Sequence, residues 1–221
     1  CALLFVMRTS AQDDDTTLIH NISMNEVVIS AGKFNENKKN VPFRIESLTQ
    51  QEIKWSMPQT LATMLEQTGN VFVQRSQAGG GSLVIRGFEA NRVLMVIDGV
   101  RMNNAIYRSG HLQNAITVDN NILDRVEVLY GPSSTLYGSD ALGGVVVFRT
   151  KRPQLAEFKG MDVHTNVMTR YSSANHEGTG HIDFNLGFRK FASFTSATFS
   201  KFGHTRQGNL RNPFNADFGL R

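Results

Sequence analysis

The sequence predicts a small α+β domain followed by the first antiparallel strands of a transmembrane β-barrel. Three observations carry this expectation. Up to about Lys151, short β-branched apolar runs alternate with two amphipathic helical patterns, and glycine-containing turn signals separate them. Beyond Pro153 the chain changes to extended segments that alternate apolar and polar residues, the pattern of antiparallel strands with one apolar and one polar face. An apolar run near the start is too short to cross a bilayer as a helix, which points to export without a membrane helix.

That run, Ala2 to Met7, follows the only cysteine, Cys1, and precedes Arg8-Thr9-Ser10-Ala11. Residues 1–11 read as the remnant of a secretory signal peptide, with Thr9 and Ala11 as the small residues at the cleavage site and Gln12 as the first mature residue. An acylated lipoprotein cysteine is the rival reading; it fits less well, because an apolar run follows where a polar linker is usual. One cysteine excludes an internal disulfide framework and a Cys-x-x-Cys metal site.

Residues 12–42 read as a flexible, polar N-terminus interrupted by Glu26-Val27-Val28-Ile29-Ser30-Ala31, a β-branched run that suits either an edge strand of the next domain or a strand added to a partner's sheet. Asn35 to Pro42 reads as linker. Phe43 to Leu48 alternates as a strand, and Thr49 with Glu52 forms a capping-box pattern that opens a short helix. A second helix is expected from Pro58 through Leu61, Met64 and Leu65 to a stop at Gly69. Strands follow at Asn70 to Gln74, Leu83 to Phe88 and Val93 to Ile97, and Asp98-Gly99 is a turn dipeptide that demands positive φ. Val126 to Leu129 is a short strand, Gly131-Pro132 a turn, Ser133 to Leu142 a compact loop or helical turn, and Val145 to Thr150 a buried strand. The α+β domain thus occupies 43–152.

In 153–221, Val163, Thr165, Val167, Thr169 and Tyr171 share one face of an extended segment, opposite Asp162, His164, Asn166 and Arg170. Ile182, Phe184, Leu186 and Phe188 repeat the pattern opposite His181, Asp183 and Asn185, and Phe191 to Phe202 makes a third segment. A soluble antiparallel sheet with one wet face gives the same alternation. The export signal and the family resemblance given below select the barrel reading, in which apolar residues face lipid and polar residues a lumen. Three strands cannot close a barrel, whose smallest form needs about 8, so a longer chain is expected.

Charge and motifs exclude other classes. Residues 151–221 carry 10 Lys+Arg against 5 Asp+Glu, but the basic residues are dispersed among alternating apolar positions, unlike a nucleic-acid interface. No GxxxxGK[ST] occurs, no GxGxxG stands between a strand and a helix, and the six histidines are scattered without a His-Glu-x-x-His. Ser133, Ser134 and Asp140 have no base nearby in sequence. The chain does not read as an enzyme and carries no intrinsic cofactor.

Ile97-Asp98-Gly99-Val100, Arg125-Val126-Glu127-Val128, Gly131-Pro132, Tyr137-Gly138 and Gly143-Gly144 follow one another in an order that resembles the plug domain of TonB-dependent outer-membrane receptors. The resemblance implies a plug seated in a barrel lumen in the bacterial outer membrane. It makes Glu26 to Ala31 similar to the TonB box grasped by the energy-coupling protein TonB, within about 25–32. The polar loop Arg101 to Asp119, with Tyr107, Arg108 and His111, looks most like plugs of haem and haemoglobin receptors. His and Tyr are axial ligands of haem iron, and arginine pairs with a propionate. The implied activity is therefore import of haem or haem-derived iron, with haem as transported ligand. A ferric siderophore, cobalamin or oligosaccharide, or a non-transporting surface binding protein, are the alternatives.

Overall fold

The computed structural model describes residues 27–28, 36–37, 41, 44–75, 81–89, 92–102, 118–131, 134–158 and 160–204. The signal-peptide remnant, Glu26, Ile29, Ser30 and Ala31 of the proposed TonB segment, and Tyr107, Arg108, His111 and Pro132 lie outside these residues.

A five-stranded sheet organises the first domain, in the order β3-β8-β9-β6-β7. Its strands are β3 (Arg44–Thr49), β6 (Val93–Ile97), β7 (Val100–Arg101), β8 (Leu123–Tyr130) and β9 (Gly144–Thr150). Only β6 and β9 run parallel; the other pairings are antiparallel. The two parallel strands are also apolar at nearly every position, as strands covered on both faces must be. Val93, Met95, Val146 and Phe148 join the core beneath the helices, whereas Leu94, Val96, Val145 and Val147 pack on the opposite face with Ile45, Leu129 and Ala141.

Helices α1 (Gln50–Ser56) and α2 (Leu61–Glu66) cover the first face. The predicted capping box forms in full: the Thr49 side chain accepts from the Glu52 N–H, and Glu52 accepts from the Thr49 N–H at 2.7 Å. Helix α2 begins later than its sequence pattern suggests. Thr60 is its N-cap, satisfying the Thr63 N–H, and Pro58 stays outside the helix. Gly69 at φ 74° follows as the expected stop.

Strands β4 (Val71–Arg75) and β5 (Gly81–Ile85) form a separate antiparallel ribbon. The strand expected over Leu83 to Phe88 ends at Ile85. Arg86 and Gly87 both take positive φ, and Ile85 and Phe88 exchange backbone hydrogen bonds at 2.9 Å, so the chain reverses in two residues. Strand β8 is longer than the Val126 to Leu129 expected, because its ends pair with β3 and β9. Helix α3 (Ser134–Tyr137) supplies the predicted helical turn. At the N-terminal end, β1 (Val27–Val28) pairs antiparallel with β2 (Glu36–Asn37). The segment read as linker therefore contains a strand, and Val27–Val28 joins neither edge of the domain sheet.

Strands β10 (Asp162–Ser172), β11 (Glu177–Gly187) and β12 (Ala192–Lys201) form a continuous antiparallel sheet. Eleven residues measure about 36 Å when extended, and a tilt of about 45° lets them span about 25 Å, the height of a barrel's apolar band. Among the described residues no helix is long and apolar enough to cross a membrane.

Candidate functional site

The glycine motifs build the frame of the site. Asp98 and Gly99 take φ 46° and 89°, the two positive values of a type I′ hairpin joining β6 to β7. The Asp98 carboxylate accepts from the Thr150 N–H at 3.1 Å and the Thr150 hydroxyl at 2.6 Å, tying this turn to the end of β9. Gly143 lies against Phe88, and a Cβ there would stand 2.3 Å from the Phe88 Cβ. At Gly144 a Cβ would meet the Leu129 carbonyl oxygen at 2.6 Å. Gly-Gly is thus a close-packing device, as the absence of a phosphate-loop lysine suggests.

Gly131 at φ 113° turns the chain beneath Arg86. Beside it, the Tyr130 hydroxyl donates to Glu46 at 2.6 Å, and Arg44 and Arg86 lie over its ring. Burial, then the Glu46 hydrogen bond, raises the Tyr130 phenol well above its ordinary range and keeps it a donor. Burial likewise raises the Tyr137 phenol.

Of the residues proposed to bind ligand, only Arg101 falls in the described region. Its guanidinium donates to Asp140 at 2.6 Å and lies beside Gly138, whose φ of 92° is in the left-handed region that favours glycine. Arg101 is therefore anchored within the domain, and it precedes Tyr107, Arg108 and His111 in the sequence.

The feature that sequence reasoning missed is how the domain meets the three-stranded sheet. On β11 the inward positions are Glu177, Thr179, His181, Asp183 and Asn185, all buried and all polar. Their outward neighbours include Phe184 and Leu186, both 38% exposed, and β10 adds Val167 and Tyr171, each 69% exposed. The polar face packs on the domain and the apolar face is left uncovered.

Arg170 on β10 is the centre of one end of this seam. It donates to Glu177 Oε1 through Nη2 at 2.6 Å and Nε at 3.2 Å. Its Nη1 donates to the Pro58 carbonyl at 2.7 Å, just beyond the C-terminus of α1, where a cation complements the exposed carbonyls. Asn120 donates to the same Pro58 oxygen at 2.7 Å. Farther along, Lys151 at the end of β9 donates to Asp183 at 2.7 Å, Asn166 donates to the other oxygen of Asp183 at 2.8 Å, and Gln154 exchanges hydrogen bonds with Asn185. A cavity of about 290 Å³ lies along the seam, lined by Ile53, Met57, Asn120, Lys151, Arg170 and His181 among others. The available signal was the charge at alternate inward positions of β11 facing Arg170 on its neighbour; its partners on the domain could not be read.

Comparison with known proteins agrees with this geometry. Residues 37–145 match the family model of the TonB-dependent receptor plug domain. The chain is 35% identical over 161 residues to the hemin receptor of Yersinia pestis, covering 71% of this chain and 22% of that protein. It is 36% identical over 133 residues to the vitamin B12 transporter BtuB of Vibrio vulnificus, covering 59% and 21% respectively. The chain thus spans about a fifth of the length of these relatives. Among solved structures, the fold resembles the copper transporter OprC at TM-score 0.62 and 18% identity, over 73% of this chain and 24% of that one. It also resembles the pyoverdine outer membrane receptor FpvA of Pseudomonas aeruginosa PAO1 at TM-score 0.59 and 18% identity, over 81% and 25%. With its plug domain packed on the polar face of membrane-type strands, this chain belongs to the TonB-dependent receptors of the bacterial outer membrane.

Proposed function

We propose that this chain is part of an outer-membrane active-transport receptor that binds haem, or iron derived from a haem protein, and releases it to the periplasm when TonB moves the plug. The observation that carries the transport reading is the seam: an independently cored domain is held to a membrane-type wall by polar contacts rather than by a shared apolar core. Polar contacts exchange for water at modest net cost, so such a domain can shift without unfolding. Similarity to a hemin receptor over 161 residues and the ligand chemistry of Tyr107, Arg108 and His111 support haem. Arg101, which opens that polar stretch of sequence, adds a guanidinium of the kind that pairs with a propionate.

Cobalamin is the second reading, favoured by the 36% identity to a vitamin B12 transporter. A haemin titration of the full-length receptor in detergent separates the two. Haem import requires a saturable absorbance change that weakens in His111→Ala; cyanocobalamin binding without haemin binding selects the second reading. Coupling is tested by Val28→Pro, which removes a main-chain donor from the strand offered to TonB. Uptake should be lost with ligand binding intact, and loss of both would remove the coupling role from residues 26–31.

A further inference from the structure

A continuous hydrogen-bonded chain crosses the seam at its middle. Asp119, on the plug, is followed by the Thr198 hydroxyl on β12, then by His181 and Asp183 on β11, and returns to the plug at Lys151. His181 and Asp183 are only 5% and 2% exposed.

Proton accounting along this chain leaves little freedom. One oxygen of Asp119 accepts both the backbone N–H and the side-chain amide of Asn121 at 2.9 Å, which favours the carboxylate. Asp183 accepts from the Lys151 ammonium and from Asn166, again as a carboxylate. The Thr198 hydroxyl has one proton and lies 2.5 Å from the other Asp119 oxygen, so it donates there. His181 Nδ1, 2.5 Å from the same hydroxyl oxygen, must then be a donor. His181 Nε2, 3.3 Å from Asp183 Oδ2, faces an acceptor and must be a donor as well. A neutral imidazole has only one N–H. The chain is short of one proton unless the imidazole carries two.

We propose that the seam is a proton-binding site, in which His181 is a buried imidazolium linking plug to wall through Thr198 and Asp119 on one side and Asp183 and Lys151 on the other. When the imidazolium gives up this proton, one end of the link becomes two acceptors facing each other, and the plug's attachment weakens. Beyond the Lys151 ammonium held by Asp183, the remaining groups facing the site come from the elements packed around it. Arg170 on β10 is engaged by Glu177, and Lys54 on α1 lines the same cavity without contacting the imidazole. Asn166 and Met168 on β10 and Asn120 and Asn121 on the plug are uncharged.

The test uses the full-length receptor in lipid, labelled with ¹⁵N-histidine and observed by solid-state NMR, with His181→Gln identifying the resonances. At pH 7 both ring nitrogens of His181 should show protonated-type shifts; an unprotonated-type nitrogen at that pH would overturn the proposal. Hydrogen exchange gives the mechanical readout. After correction for the intrinsic rate, protection of residues 118–123 should fall about tenfold or more as His181 loses its proton, since the bonds lost are charge-assisted. His181→Gln should show reduced protection with no such pH step. A step of equal size in the variant would show that another group controls the seam. Should the variant fail to assemble, the wild-type ring-nitrogen shifts still decide the charge.

Discussion

Strand β9 of the plug and strand β11 of the wall are both well buried, yet they are built on opposite rules. In β9, Val145, Val146, Val147 and Phe148 are all apolar and 2% exposed or less, because helices and loops cover both faces of the sheet. In β11 the buried side chains are Glu177, Thr179, His181, Asp183 and Asn185, and the exposed ones, Phe184 and Leu186, are apolar. Burial in the plug follows from removing apolar area from water, about 25 cal/mol per Å². Burial in the wall follows from satisfying polar groups, since its apolar face is matched to lipid. A reader who equated buried with apolar would turn the wall inside out.

Breaking the polar side of this contrast should have the largest effect. Arg170→Ala leaves Glu177 buried without its cation and strips a donor from the Pro58 carbonyl, so a destabilisation of about 3–5 kcal/mol is expected. It should appear as faster proteolysis of the plug in the assembled receptor, with the wall still protected by lipid. Next is the outer face. Phe184→Lys places a charge toward the membrane and should cost about 2–4 kcal/mol near the bilayer midplane, read as impaired assembly into the outer membrane. The same lysine on a soluble sheet's wet face would be tolerated, so normal assembly would contradict a lipid-facing β11. The smallest effect belongs to the plug interior. Gly143→Val inserts a branched side chain where even a Cβ meets Phe88 at 2.3 Å, and should lower plug stability by about 1–3 kcal/mol in thermal unfolding without affecting barrel assembly.

Local chemistry was legible wherever the determinants lie within a few residues of one another. The Thr49/Glu52 capping box, the Asp98-Gly99 hairpin and the stop at Gly69 all formed as their residue types demand. Alternation in 162–172 and 177–187 separated the two faces of the wall correctly, because a strand's period of two is a property of the chain alone. The end of β5 was misjudged for a related reason. Leu83 to Phe88 is apolar enough to continue as a strand, and only the turn at Arg86, a non-glycine at φ 53°, shows that it reverses.

What the sequence by itself determined is the order of elements, the two faces of each wall strand and the positions where only glycine fits. Tertiary structure decided which strands pair across long separations: β6 with β9 rather than with β5, and Val27–Val28 with Glu36–Asn37. It also decided the partners of the buried charges. Arg170 meets Pro58 across 112 residues and Thr198 meets Asp119 across 79, and no local propensity encodes such meetings. Periodicity tells a polar side chain which way to point; only the packed surface opposite tells it what it will find there.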